Sequence, residues 1–441
     1  MQVRLVSHAS IVITTTGSSI WTDPWTGGNA FNGSWSLLGP VAPMEEALEG
    51  VTHLWISHEH PDHFNLPSLR ALPDSFKERV TVLFQENNSD KVFKALRHLG
   101  FQRFQGLRHR ASLQLEPGTS VYCYQVGQMD SVLAVKASEG CSVLNVNDAE
   151  LSSADSRIIR SDVGAPDVVL NQFSLAGYAG LPSRDTLLPK MAANILEKMV
   201  RNHTELGASL TVPIASFVWF SSSDNAYMNR YANRPRDVVE VLTPRACAVD
   251  VLFPNESLTV GVSRSAASTE ASVTQWDVVF DEVEASTPAT SPIVPIEVLA
   301  ASLAKRSANL HKKYPAGLLW ALGSVSVWIP DFQQAVTFSF HTGRLDRSMQ
   351  LEPACDVTVS SQPLDFLFRE PFGMQTLGVS ARYSLRKGVR RWKAHRVLLA
   401  LDNAEIFLKP RLLLTRRNLL HLLRRSRGGS RQLICQIRRM S

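Results

Sequence analysis

The 441-residue sequence has little cysteine, no long uninterrupted apolar run and nothing that reads as an export signal. Its five cysteines, Cys123, Cys141, Cys247, Cys355 and Cys435, are scattered, and none belongs to a Cys-x-x-Cys pair. An odd, unpatterned set argues against a disulfide framework. It fits a reducing, cytoplasmic compartment in which such thiols are small core residues. The first residues, Met1-Gln2-Val3-Arg4-Leu5-Val6, alternate like a strand where a leader would place a basic segment and an apolar stretch, so no leader is expected. The longest apolar run, Ala316 to Ile329, is interrupted by Gly323 and two serines and is too short to span a bilayer. No nucleic-acid-reading motif occurs.

The content that is there is ordinary: 44% hydrophobic and 20% charged residues, as in a globular protein of two or three domains. The net charge of +6 is unevenly placed. From Arg382 onward there are 17 Lys/Arg and 2 Asp/Glu, leaving 29 basic and 38 acidic residues before it. Basic character is therefore a property of the tail. Arg411 to Arg425 places Leu412, Leu419, Leu420 and Leu423 on one helical face among arginines. That pattern suits either packing on the domain, which is the expectation here, or contact with an anionic membrane surface.

Short alternating runs (Val3, Leu5; Ile11, Ile13; Ile20) open the chain, and strands then alternate with helices, predicting an α/β (α+β) layered sandwich. Residues 1–265 are expected to form this first domain. The Ser/Thr/Ala/Pro-rich stretch 266–295 is read as a linker or loop. A smaller α+β domain is expected over 296–425, and 426–441 as a basic tail.

The most informative segment is Ser57-His58-Glu59-His60-Pro61-Asp62-His63, directly after the strand-like Val51 to Ile56. Imidazole and carboxylate are ligands of zinc, iron and manganese. On a tight turn after a strand, His58 and His60 can share one metal while Asp62 and His63 serve a second beside it. Two such ions would hold a bridging water and lower its pKa, making hydroxide available. One or two divalent ions, zinc, manganese or iron, are the expected cofactors. Asp62 and His63 are the candidate catalytic residues, Asp62 as the group that orients the hydroxide.

This motif resembles the metallo-β-lactamase superfamily, which implies an αββα sandwich with the site at one edge of its two sheets. His8-Ala9-Ser10 with Ile20-Trp21-Thr22-Asp23-Pro24-Trp25 is similar to the opening hairpin of the branch containing UlaG-type lactonases. Val143-Leu144-Asn145-Val146-Asn147-Asp148 resembles the strand ending in the bridging aspartate, which implies that Asp148 joins both metals. Asp23-Pro24-Trp25 through Ala30-Phe31, with Asn171-Gln172-Phe173 and Val212 to Phe217, is similar to the CMP-N-acetylneuraminic acid hydroxylase family over roughly residues 1–260. That family carries a Rieske cluster ahead of this fold. Such a cluster needs paired Cys and His ligands, and the sequence has no Cys-x-His pair.

Two histidines that the superfamily usually supplies are missing. Gly127-Gln128-Met129 stands at the first position, where Gln128 can offer an amide oxygen. Ser221-Ser222-Ser223-Asp224-Asn225 stands at the second, where Asp224 or Asn225 is the substitute. His8 is the best of the remaining histidines as a further ligand or supporting group. Further along, Cys355 to Ser380 faintly resembles a sterol-carrier-type lipid-binding fold, with a generic α+β domain as the alternative. The resulting expectation is a metal-dependent hydrolase of an ester, amide, lactone or phosphoester, acting on a small-molecule substrate held by the loops Asp23 to Leu38 and Phe173 to Leu187. Two alternatives stand beside it: a non-haem di-iron oxygenase on the same fold, and a non-catalytic binding protein on a degraded site. Oligomeric state is not legible.

Overall fold

In a strand buried on both faces, alternate side chains feed two different cores. The computed structural model describes residues 1–86, 90–127, 129–386 and 388–409, and the strand His53–Ile56 shows this division. Trp55 enters a core shared with Ile11, Ile13, Val135, Val143, Leu170 and Ile214. Its neighbours Leu54 and Ile56 enter another, with Leu69, Phe76 and Leu96 from helices outside the sheet.

The first of these cores is the interior of a sandwich. One face is a seven-stranded sheet, ordered Ser257–Thr259, Gln2–Ser7, Ser10–Thr14, Ser19–Thr22, His53–Ile56, Thr81–Gln85 and Arg103–Leu107. The other is a six-stranded sheet, ordered Leu210–Ile214, Val168–Gln172, Ser142–Asn147, Asp130–Ala137, Thr119–Val126 and Ser112–Glu116. The outer face of the second sheet (Val132, Leu144, Val146, Val169) packs on Ile159, Val163 and Leu206 of the helices Ser153–Val163 and Arg184–Leu206. Two sheets face to face with helices outside both make the αββα arrangement. Ser19–Thr22, His53–Ile56 and Thr81–Gln85 run parallel, as do Ser142–Asn147, Val168–Gln172 and Leu210–Ile214. Carboxyl ends of parallel strands are where α/β sheets open a crevice. Asp23, Ser57 and Asp148 lie there, each directly after its strand.

The stretch 266–295 departs from the linker expectation. Ala266–Glu284 is a helix of 19 residues, capped by the Ser265 side chain accepting from Ser268 N. Its alanines favour helix, and Val273, Trp276 and Phe280 recur at helical spacing on the buried face. Trp276 stacks on Phe217 at 3.9 Å and 10° and so seals the sandwich core. Ser, Thr and Ala content alone hid that periodicity. The segment after this helix is extended and remains attached to the sandwich, where Ala289 N donates to Ser221 O at 2.8 Å.

Beyond it, the helix Ile296–Lys313 and a five-stranded sheet, ordered Leu345–Ser348, Gln334–Phe338, Val325–Ile329, Val357–Val359 and Tyr383–Leu385, close on their own core of Leu299, Leu303, Val327, Phe338, Phe368 and Trp392. The helices Ser361–Arg369 and Gly373–Ser380 connect the strands Val357–Val359 and Tyr383–Leu385. The stretch Arg411 to Arg425, the tail 426–441 and Cys435 lie outside the described residues. Among the described residues, no helix is long and apolar enough to cross a membrane.

The C-terminal unit docks on the sandwich through a buried charge. The Arg382 side chain, 1% exposed, pairs with Asp224 Oδ2 at 2.8 Å. It also donates to Gln362 Oε1 at 2.9 Å, Ser291 Oγ at 2.7 Å and the Asn32 carbonyl at 3.3 Å. Asn32 and Gln362 exchange side-chain hydrogen bonds at 3.2 and 2.9 Å. At Gly177 and Gly180, with φ of +128° and +66°, a Cβ would fall 2.5 Å from Val379 O and 2.6 Å from Tyr383 O, so side chains there would push the two units apart.

Burial also sets the acid response. His53, His203 and His395 are each pushed below the ordinary imidazole range by burial. Their stabilising contribution is complete above the unfolded value of about 6.5 and is lost as pH falls through the folded values, because the unfolded chain takes up protons first. The urea midpoint of the wild type should therefore fall more between pH 7.5 and 5.5 (roughly one unit either side of that value) than that of His203→Gln, a comparison in which groups shifted the opposite way cancel. Equal profiles in the two proteins would contradict burial of that ring.

Candidate metal centre

Asp23 is the anchor from which the centre is built. It follows the strand Ser19–Thr22 in a left-handed conformation (φ 40°), with its backbone N–H tied to Trp55 O at 2.9 Å. Its carboxylate is fully buried. Oδ1 accepts from Ser57 N at 2.7 Å. Oδ2 accepts from Ser57 Oγ at 2.7 Å, Asn147 Nδ2 at 2.8 Å and His63 Nδ1 at 2.9 Å. Asn147, also left-handed (φ 56°), turns the chain so that Asp148 faces the same space. One carboxylate thereby ties together three strand ends and fixes the His63 ring with Nε2 pointing inward.

The turn after Ser57 closes through His63 N donating to His60 O at 3.0 Å and Asn65 Nδ2 donating to Pro61 O at 2.9 Å. Asn65 Oδ1 then caps the helix Leu66–Ala71 by accepting from Ser68 N. The HxHxDH segment is therefore held between a strand end and a helix start.

Two groups of potential ligand atoms result, His8 with Asp62 and His63, and His58 with His60 and Asp148, the atoms within each group lying within 4.8 Å of one another. His58 Nε2 and His60 Nδ1 face each other at 2.7 Å. In the other group, Asp62 Oδ2 is 3.5 Å from His8 Nε2 and 3.4 Å from His63 Nε2. Asp148 Oδ2 lies between the groups, 3.5 Å from His58 Nε2 and 3.6 Å from His63 Nε2. His8 Nε2, Asp62 Oδ1, His63 Nε2 and Asp148 Oδ1 are buried without a hydrogen-bond partner. Leaving polar atoms of this kind unpaired is costly, and bound cations together with their water would satisfy them.

Electrostatics agree with a cation-seeking pocket. Burial would raise the Asp62 carboxyl, but His63 and His8 hold it at about 2. Burial would lower His63, but Asp62, Asp148 and Asp23 lift it to about 10. Burial pushes His8 and His58 down, leaving both neutral and ready to ligate. Metal ligation needs neutral imidazole, so a metal held by His63 would displace its proton.

The remaining sequence candidates separate. His8 sits in the turn between Gln2–Ser7 and Ser10–Thr14, and its carbonyl accepts from Ala215 N at 2.9 Å. It thus stands beside the end of Leu210–Ile214. Asp224 is in neither group. It is engaged by Arg382 and accepts from Ser360 Oγ at 2.7 Å, because the segment after Phe220 turns towards the C-terminal unit. Asn225 likewise donates to Ser34 O and Ser380 O. Gln128 lies outside the described residues. His53, His109 and His203 bond to Thr52, Gln125 and Thr211 instead.

Sequence reasoning did not single out Asp23, Ser57, Asn147 or Asp130 as parts of the site. Burial and the Asp148 charge push the Asp130 carboxyl up to about 8. The only signal for Asp23 was its place in Asp23-Pro24-Trp25 at a strand end; the parallel pairing of Thr22 with Trp55 is what brings it to Ser57.

Residues 2–132 match the family described as the beta-lactamase superfamily domain. That stretch of the chain is thus similar to a domain of that superfamily, and it lies within the sandwich described above. A Mycobacterium tuberculosis protein named a Rieske 2Fe-2S iron-sulfur protein is 26% identical over 256 residues, covering 54% of this chain and 48% of that one. The cytidine monophosphate-N-acetylneuraminic acid hydroxylase of Asterias rubens is 37% identical over 101 residues, 23% of this chain and 15% of the enzyme. The chain thus spans half or less of the length of these curated relatives. Among solved structures, a metallo hydrolase from the archaeon Ignicoccus hospitalis aligns with a TM-score of 0.43 at 16% identity, over 59% of this chain and 99% of that one.

Proposed function

We propose that the two facing triads hold a pair of divalent metal ions and that the protein is a metal-dependent hydrolase of a small ester, amide, lactone or phosphoester. The observation that carries this reading is the position of Asp148 Oδ2, within 3.6 Å of imidazole nitrogens from both groups. Metal ions bound there would supply Lewis acidity and bring the pKa of water towards neutrality. The chain's own residues do the rest. Asp62, ionised across the neutral range, has Oδ1 free to accept a hydrogen bond and orient an attacking water. Asp23 holds the His63 ring so that Nε2 faces the centre, a support that raises ligand basicity. Phe31 lies 5.9 Å from the His60 ring, so the loop Asp23 to Leu38 forms one wall against the substrate. The C-terminal unit braces that wall through Arg382 and Gln362.

A second reading, a non-haem di-iron oxygenase, is favoured by one feature. Each triad consists of two histidines and one carboxylate, a set that also suits iron in oxygenases. The hydroxylase name of one relative points the same way. Metal identity decides between them. Protein purified without added metal and analysed by elemental mass spectrometry should contain zinc or manganese and hydrolyse p-nitrophenyl esters or phosphodiesters. Bound iron, with oxygen uptake on addition of reductant and no hydrolysis, would replace the first reading with the second. No metal after reconstitution would leave a binding protein.

A further inference from the structure

A cavity of about 410 Å³ belongs wholly to the C-terminal unit and shares no residue with the metal centre. It lies between the helices Ile296–Lys313 and Ser361–Arg369. Ser302, Lys305, Arg306 and Asn309 face it at the three- and four-residue spacing of one helix surface, and Phe368 and Arg369 face it from the other helix. Its size is in the range of small-molecule sites.

The charges around it do not balance locally. Arg306 is 4% exposed. Its nearest carboxylate, Asp402, lies 2.9 Å away but is shared with Lys313 at 2.7 Å. Arg369 uses Asp365 at 2.6 Å, with Glu370 at 3.7 Å. Asp365 also accepts from Ser302 Oγ. Lys305 has no ion-pair partner among the described residues. Four cations therefore face three carboxylates, and Arg306 Nε, which is buried, has no hydrogen-bond partner. Burial pushes the Arg306 guanidinium down from its ordinary range, and Asp402 compensates only in part. A buried guanidinium with an unmet N–H needs an acceptor. Arginine forks and a lysine at the rim match the oxygens of a carboxylate or phosphate, whose charge would complete the balance.

We infer that this cavity binds a small organic oxyanion, a carboxylate or a phosphate monoester, through Lys305, Arg306 and Arg369, with its apolar part against Phe368. This site is independent of the metal centre and of the reaction carried out there. Glu370 on the rim selects against ligands with excess negative charge.

The test is isothermal titration of the full chain with inorganic phosphate and, separately, with acetate. At least one should bind saturably. Lys305→Ala, an exposed position whose loss leaves the fold intact, should weaken that binding about tenfold, as expected for one charge-assisted contact. His60→Ala should bind the anion as the wild type does, because phosphate held at the metal centre would be lost there. Preference for phosphate would assign a phosphate monoester, and preference for acetate a carboxylate. Absence of saturable binding by either anion, wild-type binding in Lys305→Ala, or loss of binding in His60→Ala would each overturn the proposal.

Discussion

Replacing Asp148 with alanine should remove most of the bound metal. In the wild type, about two equivalents per chain are expected if both triads fill. Asp148 Oδ2 is close to His58 in one group and His63 in the other, so its loss deprives both ions of a charged ligand. His60→Ala should empty its own group and weaken the other through the shared aspartate. Asp23→Asn is a subtler probe. It keeps the shape of the anchor but removes the charge opposite His63 Nδ1, and should cost about 10–100-fold in affinity, as loss of such supporting groups does. Asp224→Ala should leave metal content unchanged, since its carboxylate is committed to Arg382. Elemental analysis of the four variants distinguishes the outcomes. One equivalent that persists in Asp148→Ala would mean a single-ion centre built on the other group. Metal loss in Asp224→Ala would contradict the placement of that residue.

The same substitution at Asp224 should have a large effect of another kind. Arg382 is buried, and Asp224 is its only carboxylate partner among the described residues. Removing one member of a buried pair leaves an uncompensated charge, at a cost of about 3–5 kcal/mol. The loss should be seen in urea unfolding followed by tryptophan fluorescence. It should fall mainly on docking of the C-terminal unit, because Arg382 joins Asn32, Asp224, Ser291 and Gln362 from distant parts of the chain. Replacing both partners, Asp224→Ala with Arg382→Met, should recover part of the stability, since no buried charge is then left unpaired. A change below about 1 kcal/mol in Asp224→Ala, the range of an exposed pair, would show that water replaces the carboxylate and that the clamp is not structural. Loosening of this clamp should also free Phe31 from its position near His60, so the two effects can be followed together by the absorption spectrum of cobalt-substituted protein.

Much of the fold was legible because its signals are local. Alternation in Val3 to Ile20 and the strand–helix rhythm after it predict a layered sandwich, and the N-terminal match to the beta-lactamase superfamily domain agrees. The 266–295 segment departs from its linker-like composition for a physical reason. Its composition is that of a linker, whereas the signal that matters is the spacing of three apolar residues, of which Trp276 fills the core. Within the centre, the HxHxDH cluster could be read directly, since four potential ligands lie within six residues and local chain geometry keeps them together. Asp148 could be proposed only through resemblance, because its strand lies in the other sheet and reaches the cluster only when the two sheets stack, through the Asn147–Asp23 hydrogen bond.

The sequence by itself determined the layered class of the N-terminal domain, the concentration of ligand-type side chains after the strand His53–Ile56, and the basic bias of the C-terminal residues. These depend on periodicity, composition and neighbours in the chain. Tertiary structure alone decided that His8 joins Asp62 and His63, that Asp23 orients His63 from forty residues away, and that Asp224 serves Arg382. Those choices depend on which strand ends meet and on what balances each buried charge. Both are properties of the assembled chain, since a carboxylate or imidazole has the same local sequence signature whether its partner is a metal, an arginine or a backbone amide.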